Sequence, residues 1–297
     1  MLGRTLRGAA VLLALGVGSS FAAELPDTTD DMVILAKDRV TLSQGSELNS
    51  GQIAVNDAQG KVTVAPRVRA LSETEIIADI VAVNAPASRK PELFDIFTNS
   101  FRRENHAVVD GEIVSPLGQS LPLFHFPSAP AVTPGADPCP NGTGTGGNCV
   151  IRRRNGPVTL PQGDYGRITV WEGGVLYLQG TYNIESLRTG SLSSIVASGS
   201  ATINVQKGLS FGWCSTFEPV DGVNARCVVL NVAGHYVQIA GASIISAVIN
   251  APNATVSLGS TLTSLRVTYV GNLAAKRVIV GPGATLQSPD PLLSTCQ

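Results

Sequence analysis

Ile249-Asn250-Ala251 is the last of four copies of an apolar-Asn-apolar phrase, which also reads Tyr182-Asn183-Ile184, Ile203-Asn204-Val205 and Leu230-Asn231-Val232. The four asparagines are 21, 27 and 19 residues apart. Repeat periods of roughly 20 to 50 residues are typical of solenoids and propellers, and β-branched residues at alternate positions favour strands. An apolar series keeps the same interval: Ile168, Leu187, Leu209, Val237, Val256 and Val278. The repeat therefore predicts a stack of β-strand coils, with function on a face or an end of the stack.

The composition is typical of strands and tight turns. Of 297 residues only 14% are charged and 5% aromatic, while 31 residues are glycine; charged residues average about 25% in globular proteins. The net charge of −1 lacks the basic excess that phosphate binding requires, so no nucleic-acid partner is expected. The one basic cluster, Arg152-Arg153-Arg154, has two interpretations: a solvated face, or a site for an anion or a membrane surface.

Residues 1–22 have the pattern of a signal peptide. Arg4 and Arg7 precede an apolar stretch from Gly8 to Val17, and Ser20-Phe21-Ala22 is a small-x-small cleavage site. The apolar stretch is too short to cross a bilayer of about 30 Å, and no later segment reaches about 18 apolar residues, so no membrane span is expected. The sequence therefore predicts an exported protein in the periplasm, at the cell surface or outside the cell.

Five cysteines suit an oxidising compartment. Cys139 and Cys149 bracket a Gly-rich loop, and Cys214 and Cys227 bracket the insertion that lengthens one repeat to 27 residues. Two local disulfides, 139–149 and 214–227, are therefore predicted, which leaves Cys296 as a free or intermolecular thiol. No metal site is expected, because the spacings lack a C-x-x-C pattern and the histidines are scattered.

Two blocks share the repeat. Residues 23–90 are predicted to form an N-terminal β block, and residues 150–288 the main β-helix, followed by a tail at 289–297. The phrase Arg39-Val-Thr-Leu-Ser-Gln-Gly-Ser-Glu-Leu48 is similar to Arg277-Val-Ile-Val-Gly-Pro-Gly-Ala-Thr-Leu286. Both blocks are therefore expected to consist of one kind of coil, and a single solenoid is one way to join them.

Residues 91–149 interrupt this pattern. Pro91 at a first helical position, followed by Leu93, Phe94, Phe97 and Phe101 on one helical face, predicts a short amphipathic helix. The Pro-rich stretch 116–140 predicts an extended strap. Because the open end of a solenoid exposes apolar core and unpaired strand edges, helix and strap together are predicted to form a cap. A linker between two domains is the alternative.

The phrases 249–259 and 276–286 resemble coils of bacterial right-handed parallel β-helix proteins, distantly those of the bactofilin-like, polymer-forming group. The resemblance covers about half of the mature chain. It implies an all-β, single-stranded right-handed parallel β-helix, here with a short helix and a Pro-rich strap as its cap. The signal peptide, the cysteines and the Phe/Pro-rich segment depart from bactofilins, so cytoskeletal polymerisation is not carried over.

No catalytic residue and no cofactor are predicted. Lyases and hydrolases built on β-helices use grouped carboxylates and a basic residue on one face, whereas Asp164, Glu172 and Glu185 fall at different phases of the coil. His235 lacks a Ser or Cys partner at a recurring position, and no nucleotide-binding or metalloprotease motif is present. The enzyme interpretation would gain if Asp164, Glu185 and an arginine converged.

Two groups of residues are candidates for a binding surface. Trp213, Glu218 and Asp221 share the loop between Cys214 and Cys227 or border it, and form a candidate patch. The second group is the outward-facing row Asn183, Asn204, Asn231 and Asn250. Stacked in register, these amides either bond coil to coil, as in cross-β ladders, or present a row of amides to a glycan or a flat crystalline surface.

The sequence as a whole predicts an exported, non-enzymatic structural or interaction protein of an envelope or cell surface, adhesin-like in character. A carbohydrate-active β-helix enzyme, either a polysaccharide lyase or a hydrolase, is the first alternative. A self-assembling, polymer-forming scaffold is the second. The expected partners are cell-surface polysaccharide or further copies of the chain.

Overall fold

The computed structural model describes residues 32–72, 74–84, 86, 88–103, 107–117, 124–140, 147–220, 222–259, 265–289 and 296. The signal peptide predicted at 1–22 lies outside these residues and stays a prediction. The described chain is an all-β parallel β-solenoid of about 11 turns with almost no helix. This confirms the predicted solenoid.

The strands of the described residues belong to one hydrogen-bonded system. Two 3-10 turns, Arg153–Asn155 and Ala225–Cys227, interrupt them. The strands are β1 (Met32–Leu42), β2 (Glu47–Leu48), β3 (Gly51–Val55), β4 (Lys61–Val64), β5 (Arg69–Ala70), β6 (Thr74–Val83), β7 (Glu92–Leu93), β8 (Asp95–Arg103), β9 (Val108–Val109), β10 (Ile113–Val114), β11 (Cys149–Ile151), β12 (Pro157–Thr159), β13 (Gly163–Val170), β14 (Val175–Thr189), β15 (Ser194–Phe211), β16 (Thr216–Pro219), β17 (Val228–Val232), β18 (Tyr236–Ile239), β19 (Ile244–Ser246), β20 (Val248–Leu258), β21 (Thr268–Val270), β22 (Leu273–Val280) and β23 (Thr285–Gln287).

Each complete turn contributes three strand segments, and equivalent segments stack in parallel into three faces. Face A contains 32–36, 51–55, 74–78, 95–98, 113–114, 163–165, 181–184, 201–205, 228–232, 248–251 and 273–275. Face B contains 39–42, 61–64, 80–83, 100–103, 149–151, 167–170, 186–189, 208–211, 236–239, 255–258 and 277–280. Face C contains 47–48, 69–70, 92–93, 108–109, 157–159, 175–178, 194–197, 216–219, 244–246, 268–270 and 285–287.

The order of turns along the solenoid differs from their order along the chain. β22 pairs in parallel with β1, so that Arg277 lies opposite Arg39 and Val278 opposite Val40. In the same way β23 pairs with β2 on face C. The N-terminal turns therefore stack on the C-terminal end of the main coil. The two similar phrases in the sequence are direct neighbours because they occupy adjacent turns.

The core lies inside the stack, and its side chains are in register from turn to turn. The apolar series noted in the sequence forms one such row on face B, with Ile168 opposite Leu187 and Leu187 opposite Leu209. Its members Ile168, Leu187, Leu209, Val237, Val256 and Val278 are all buried. A slip of one residue would turn every inward side chain outward. The apolar alternation therefore fixes the register of each new turn.

In most turns, one residue at the corner between faces B and C has a left-handed backbone conformation, with positive φ. Gly173 and Gly283 occupy this position with φ values of 65° and 68°, as do Leu192 at 56° and Cys214 at 52°. Glycine adopts this conformation at no steric cost, whereas other residues pay for it. A buried serine follows at several corners, where its hydroxyl donates to the carbonyl three residues earlier, as Ser193 does to Gly190 and Ser215 to Gly212.

The helix predicted after Pro91 is wrong, because residues 92–93 and 95–103 form strands β7 and β8. The apolar spacing that resembles a helical face comes from three different faces of the solenoid. Leu93 points into the core from face C, and Phe101 packs against the same core from face B. Phe97 faces outward on face A, where a second apolar cluster covers it. Helical periodicity and this three-sided coil place apolar residues at the same intervals.

The rest of the interrupting segment covers a face of the solenoid instead of capping an end. We call residues 115–117, 124–140 and 147–148 the strap. Its Phe124 and Phe126 lie over the apolar part of face A, in a cluster with Phe97. Farther along, Val132 accepts a hydrogen bond from Gln206 and Asp137 bonds to Asp164. Because Gln206 and Asp164 lie on turns progressively closer to the turn that begins at Cys149, the strap runs back along the stack toward that turn.

The disulfides differ in part from the predicted pairing. Cys139 is bonded to Cys149, which ties the strap to the first turn of the main coil. Cys227 is bonded to Cys296, and Cys214 is free and exposed, so the predicted 214–227 link and the predicted free thiol at 296 are both wrong. Cys214 occupies a corner turn with a left-handed backbone, whereas Cys227 lies within bonding distance of Cys296 near the end of the chain.

Candidate functional site

The four repeated asparagines form a directional amide ladder on face A. Asn250 donates through Nδ2 to Oδ1 of Asn231 at 3.0 Å, and Asn231 donates to Asn204 at 2.9 Å. Asn204 donates to Asn183 at 2.9 Å, and Asn183 donates to the Asp164 carboxylate at 2.7 Å. The coil-to-coil bonding that the sequence offered as one interpretation is therefore present. Each of the four amides gives one of its two N–H donors to the ladder, and three of them also accept a ladder bond at Oδ1, which reduces their capacity to bind an external ligand.

The outward row that contains this ladder changes character halfway along face A. Past Asn250 the same register position carries Ala274, Leu35, Ala54, Ile77 and Phe97 in turn. Leu35, Ile77 and Phe97 belong to the second apolar cluster, together with Phe124 of the strap. Face A therefore has a polar half and an apolar half, and the strap runs over both.

The other predicted patch residues that the structure describes, Trp213 and Glu218, occupy different parts of the coil. Trp213 is at the corner between faces B and C and is 39% exposed, while Glu218 is half-buried on face C. Asp221 lies outside the described residues. Burial raises the pKa of the Glu218 carboxyl. These side chains and the asparagines of face A therefore do not form one surface.

Face B carries most of the charge among the outward rows. One row places Arg277, Arg39 and Lys61 on three consecutive turns, and Arg188 and Arg102 are exposed farther along the face. Arg277 is partly neutralised by Asp38, whose carboxylate lies 3.3 Å from Nε. Like charges on neighbouring strands repel each other. Face B therefore suits solvent or an anion better than a neutral surface.

Face C has an outward surface of nearly uncharged side chains over seven consecutive turns. Its first row is Pro157, Val175, Ser194, Thr216, Ile244, Thr268 and Thr285. Its second row contains Thr159, Tyr177, Val196, Glu218, Ser246, Val270 and Gln287. All of these side chains are partly or fully exposed. Parallel strands about 4.8 Å apart hold the rows in a fixed array.

Sequence reasoning did not select face C, although a signal for it exists. Ser194, Thr216 and Thr285 each follow a small residue that is buried at the preceding corner, namely Ser193, Ser215 and Ala284. This pattern of only two residues recurs at irregular intervals. In one turn the outward Ser or Thr is replaced by Ile244. The asparagine repeat was easier to find because its residue type is constant.

The two carboxylates named for the enzyme interpretation, Asp164 and Glu185, are engaged in structural contacts. Asp164 accepts from Asn183 and lies against the strap at Asp137. The hydrogen bond from Lys207 lowers the pKa of Glu185, and the charges of Lys207 and Arg167 act in the same direction. A glycosidase general acid requires a raised pKa. In the described part of the chain no group of His, Cys, Asp and Glu side chains is arranged to hold a metal ion.

One end of the stack is poorly suited to pairing with another copy. Strand β11 pairs with β13, and β12 with β14, so the turn at 149–159 is terminal. The exposed residues Arg152–Arg154 and Pro157 lie in this turn. Charges and proline at a strand edge oppose edge-to-edge association. The described residues contain no helix long and apolar enough to cross a membrane.

These features define a parallel β-solenoid with a strap over face A, a row of basic residues on face B, and an outward surface on face C that is nearly uncharged over seven turns. No protein-family model matches the sequence, and no curated protein sequence matches it. Among solved structures, a glycosylated ice-binding protein (LeIBP) from an Arctic yeast is similar at 15% identity and a TM-score of 0.42, over 88% of this chain and 92% of that chain. An ice-binding protein from the Antarctic ascomycete Antarctomyces psychrotrophicus is similar at 12% identity and a TM-score of 0.41, over 87% of this chain and 95% of that chain.

An ice-binding protein from an Antarctic bacterium of the Flavobacteriaceae is similar at 13% identity and a TM-score of 0.25, over 86% of this chain and 79% of that chain. At this level of similarity no residue role and no function is transferred to this protein. None of the comparisons supports the bactofilin resemblance or a bacterial origin.

Proposed function

We propose that the protein is an exported, non-enzymatic binding protein that adsorbs through face C to an extended, ordered and uncharged surface. The observation that carries this proposal is the pair of in-register rows over seven turns of face C, in which Glu218 is the one charged side chain. Beyond Thr285 the first row continues with the charged residues Glu47, Arg69 and Glu92. Face A is covered by the strap, and face B carries the basic row Arg277, Arg39 and Lys61. Face C is therefore the face whose chemistry and access best suit such a surface.

The rows suit a solid, repetitive partner better than a small molecule. Threonine and valine are stiff at χ1, and the stacked strands fix their positions, so little conformational entropy is lost on binding. Thr216 additionally donates to the Ser194 hydroxyl at 2.9 Å, which holds two neighbouring rungs together. Many weak contacts made at once by a rigid array give a strong combined attachment.

The chemistry that fits these rows is a neutral lattice of hydroxyl or water oxygens. Hydroxyl groups of Ser194, Thr268 and Thr285 can donate to such oxygens or accept from them, and the methyl groups between them contact the less polar parts of the lattice. Two solids present this chemistry, namely crystalline polysaccharide and ice. Both solids offer the same hydrogen-bonding chemistry, and the experiment below distinguishes between them.

The test compares two substitutions in the same turn. Ile244→Lys places a cation in the first row of face C, and Gln238→Lys places the same charge on face B. Adsorption of the full chain is measured by co-sedimentation with crystalline cellulose and chitin, and by partition into slowly growing ice. We expect the wild type to adsorb to one of these solids, Ile244→Lys to lose about tenfold or more in affinity, and Gln238→Lys to keep it. Failure of the wild type on every solid, or equal loss in both variants, would overturn the proposal.

A further inference from the structure

Three large apolar side chains are exposed along the corner between faces B and C. Trp171, Leu192 and Trp213 are 52%, 62% and 39% exposed, and they follow β13, β14 and β15, which belong to consecutive turns. Parallel strands about 4.8 Å apart place the two tryptophans about 10 Å from each other along the corner. We call these three residues the corner ridge. Because the corner of a closed coil is convex, the corner ridge projects from the molecule.

The fold itself does not favour a leucine at position 192. Its φ is 56°, and the equivalent position in other turns is occupied by Gly173 and Gly283. Glycine adopts this conformation at no steric cost, whereas a leucine is strained there. The exposed Leu192 side chain also gains little from burial in the fold. An apolar side chain at a strained and exposed position therefore indicates a contact made outside the protein.

The arginine cluster of the terminal turn lies beside one end of the corner ridge, around an open cavity of about 290 Å³. The described residues that line this cavity are Arg152, Arg153, Arg154, Trp171 and Glu172. The guanidinium of Arg152 lies over the Trp171 ring, 5.8 Å from its centroid. The aliphatic stem of Arg153 lies against Gly173 of the next turn. The indole and the guanidinium groups therefore form one continuous surface.

This surface has an excess of positive charge. All three arginines are exposed, and none of them forms an ion pair with a described residue. Glu172 is the one acidic residue among the described residues of the lining, so three cations face one carboxylate. Arginine binds phosphate oxygens in a bidentate manner. The arginine cluster therefore favours a phosphate, while the adjacent corner ridge favours an apolar layer.

We propose that the corner ridge and the arginine cluster attach the protein peripherally to a bilayer that contains anionic phospholipid. Trp171, Leu192 and Trp213 enter the boundary between headgroups and acyl chains, where indole rings are favoured. Arg153 and Arg154 meet the headgroup phosphates. A fluid lipid layer closes around a convex ridge. A folded partner suits the ridge less well, because three side chains expose much less than the roughly 800 Å² that each partner buries in a stable interface.

The test uses the fluorescence of the protein itself. The sequence contains two tryptophans, and both belong to the corner ridge. The full chain is mixed with vesicles of phosphatidylcholine and phosphatidylglycerol, or with vesicles of phosphatidylcholine alone. We expect co-sedimentation with the mixed vesicles, a blue shift of the tryptophan emission and quenching by brominated lipid. Binding to phosphatidylcholine alone should be at least about tenfold weaker, because it lacks the attraction of anionic headgroups.

Two double variants remove the two halves of the surface. Trp171→Ala/Trp213→Ala is expected to weaken co-sedimentation at least about tenfold, and Arg153→Gln/Arg154→Gln should weaken binding to the mixed vesicles by about the same factor.

The matched controls should leave binding to the mixed vesicles unchanged. They are Ile279→Ala, which removes an exposed apolar side chain from face B, and Arg102→Gln/Arg103→Gln, which removes two exposed arginines at the opposite end of the described stack.

Leu192→Gly keeps the test decisive if the tryptophan variant does not fold. It removes the strain of the left-handed backbone, so its Tm should be at least that of the wild type. Its binding to mixed vesicles should nevertheless be about fivefold weaker, because less apolar surface enters the lipid. A structural role of Leu192 would predict the opposite change in stability.

Four outcomes would each overturn the proposal. They are no binding of the wild type to mixed vesicles, unshifted tryptophan emission of the bound protein, unchanged binding by folded Leu192→Gly, and equal losses in the control variants. An equal emission shift with soluble dextran sulfate would also overturn it, and would indicate an acidic polymer in place of lipid. None of these outcomes affects adsorption through face C, which the Ile244→Lys comparison measures separately.

Discussion

Asn56 holds the backbone of Phe124 with both ends of its side-chain amide. Its Nδ2 donates to the Phe124 carbonyl at 2.8 Å, and its Oδ1 accepts from the Phe124 N–H at 2.9 Å. The two residues are 68 positions apart in the chain. This pair fixes the strap where it begins to cover face A, because Phe124 is buried in the second apolar cluster next to it.

Asn56→Ala is expected to loosen the strap without unfolding the solenoid. Two hydrogen bonds are lost and the Phe124 backbone groups lose their partner, so the free energy of unfolding should fall by about 1–3 kcal/mol. Hydrogen exchange at the Phe124 amide and chemical denaturation measure the two effects. Gln59→Ala, an exposed change in the turn that follows, is the control. Unchanged protection of Phe124 would contradict the clamp.

The amide ladder predicts that replacing an interior asparagine lowers the free energy of unfolding more than replacing the terminal asparagine. Asn231 both donates to Asn204 and accepts from Asn250, whereas the Asn250 side chain contributes one ladder bond. At about 1 kcal/mol for each hydrogen bond, Asn231→Ala should cost about 2 kcal/mol of stability and Asn250→Ala about half of that. Denaturant unfolding of the two variants checks the ratio. Equal losses would show that the amides do not act as a ladder.

The disulfides predict a specific peptide map. Digestion without reduction should yield peptides that link Cys227 to Cys296 and Cys139 to Cys149, and thiol labelling should modify Cys214. A peptide that links Cys214 to Cys227 would refute the structure at this point.

The stabilities of cysteine-to-serine variants should follow the lengths of the closed loops. The bonds span 69 and 10 residues, which in the chain-entropy model correspond to about 4 and about 3 kcal/mol. The double variant Cys227→Ser/Cys296→Ser should therefore be less stable than Cys139→Ser/Cys149→Ser, while Cys214→Ser should change stability little. Thermal unfolding measures all three.

The hydrogen bond between Lys207 and Glu185 predicts a contribution to folding stability that is lost at low pH. Its pKa in the folded state is lowered from 4.5 by the hydrogen bond from Lys207. A lowered carboxyl pKa gives stability that is fully present above the unfolded value and is lost as the pH falls through the folded value. Lys207→Met should therefore raise the Glu185 titration midpoint in carboxyl NMR and reduce stability at neutral pH more than at low pH. Lys276→Met is the control, and an unshifted Glu185 midpoint would contradict the pair.

Local sequence patterns predicted the coil well but predicted its surroundings poorly. Ser72 and Glu75 are compatible with a helix start, but the phrase Val83-Asn84-Ala85-Pro86, which echoes Ile249-Asn250-Ala251-Pro252, favours a strand. The structure has strand β6 at Thr74–Val83. The same reasoning misassigned Phe97, because its outward side chain is buried by the strap and so imitates a core residue. Alternation shows which positions are apolar. It does not show what covers them.

The sequence by itself determined that the chain coils, with what period, and which side chains face the core. These features follow from alternation and from the asparagine phrase, and both act between neighbouring turns. Only the tertiary structure decided that the turn of Arg277 stacks on the turn of Arg39, that Cys227 pairs with Cys296, and that the strap covers face A. These contacts join residues far apart in the chain, where any turn can in principle stack on any other. Which of these long-range contacts form depends on which strand edges and apolar rows remain exposed once the other turns have stacked.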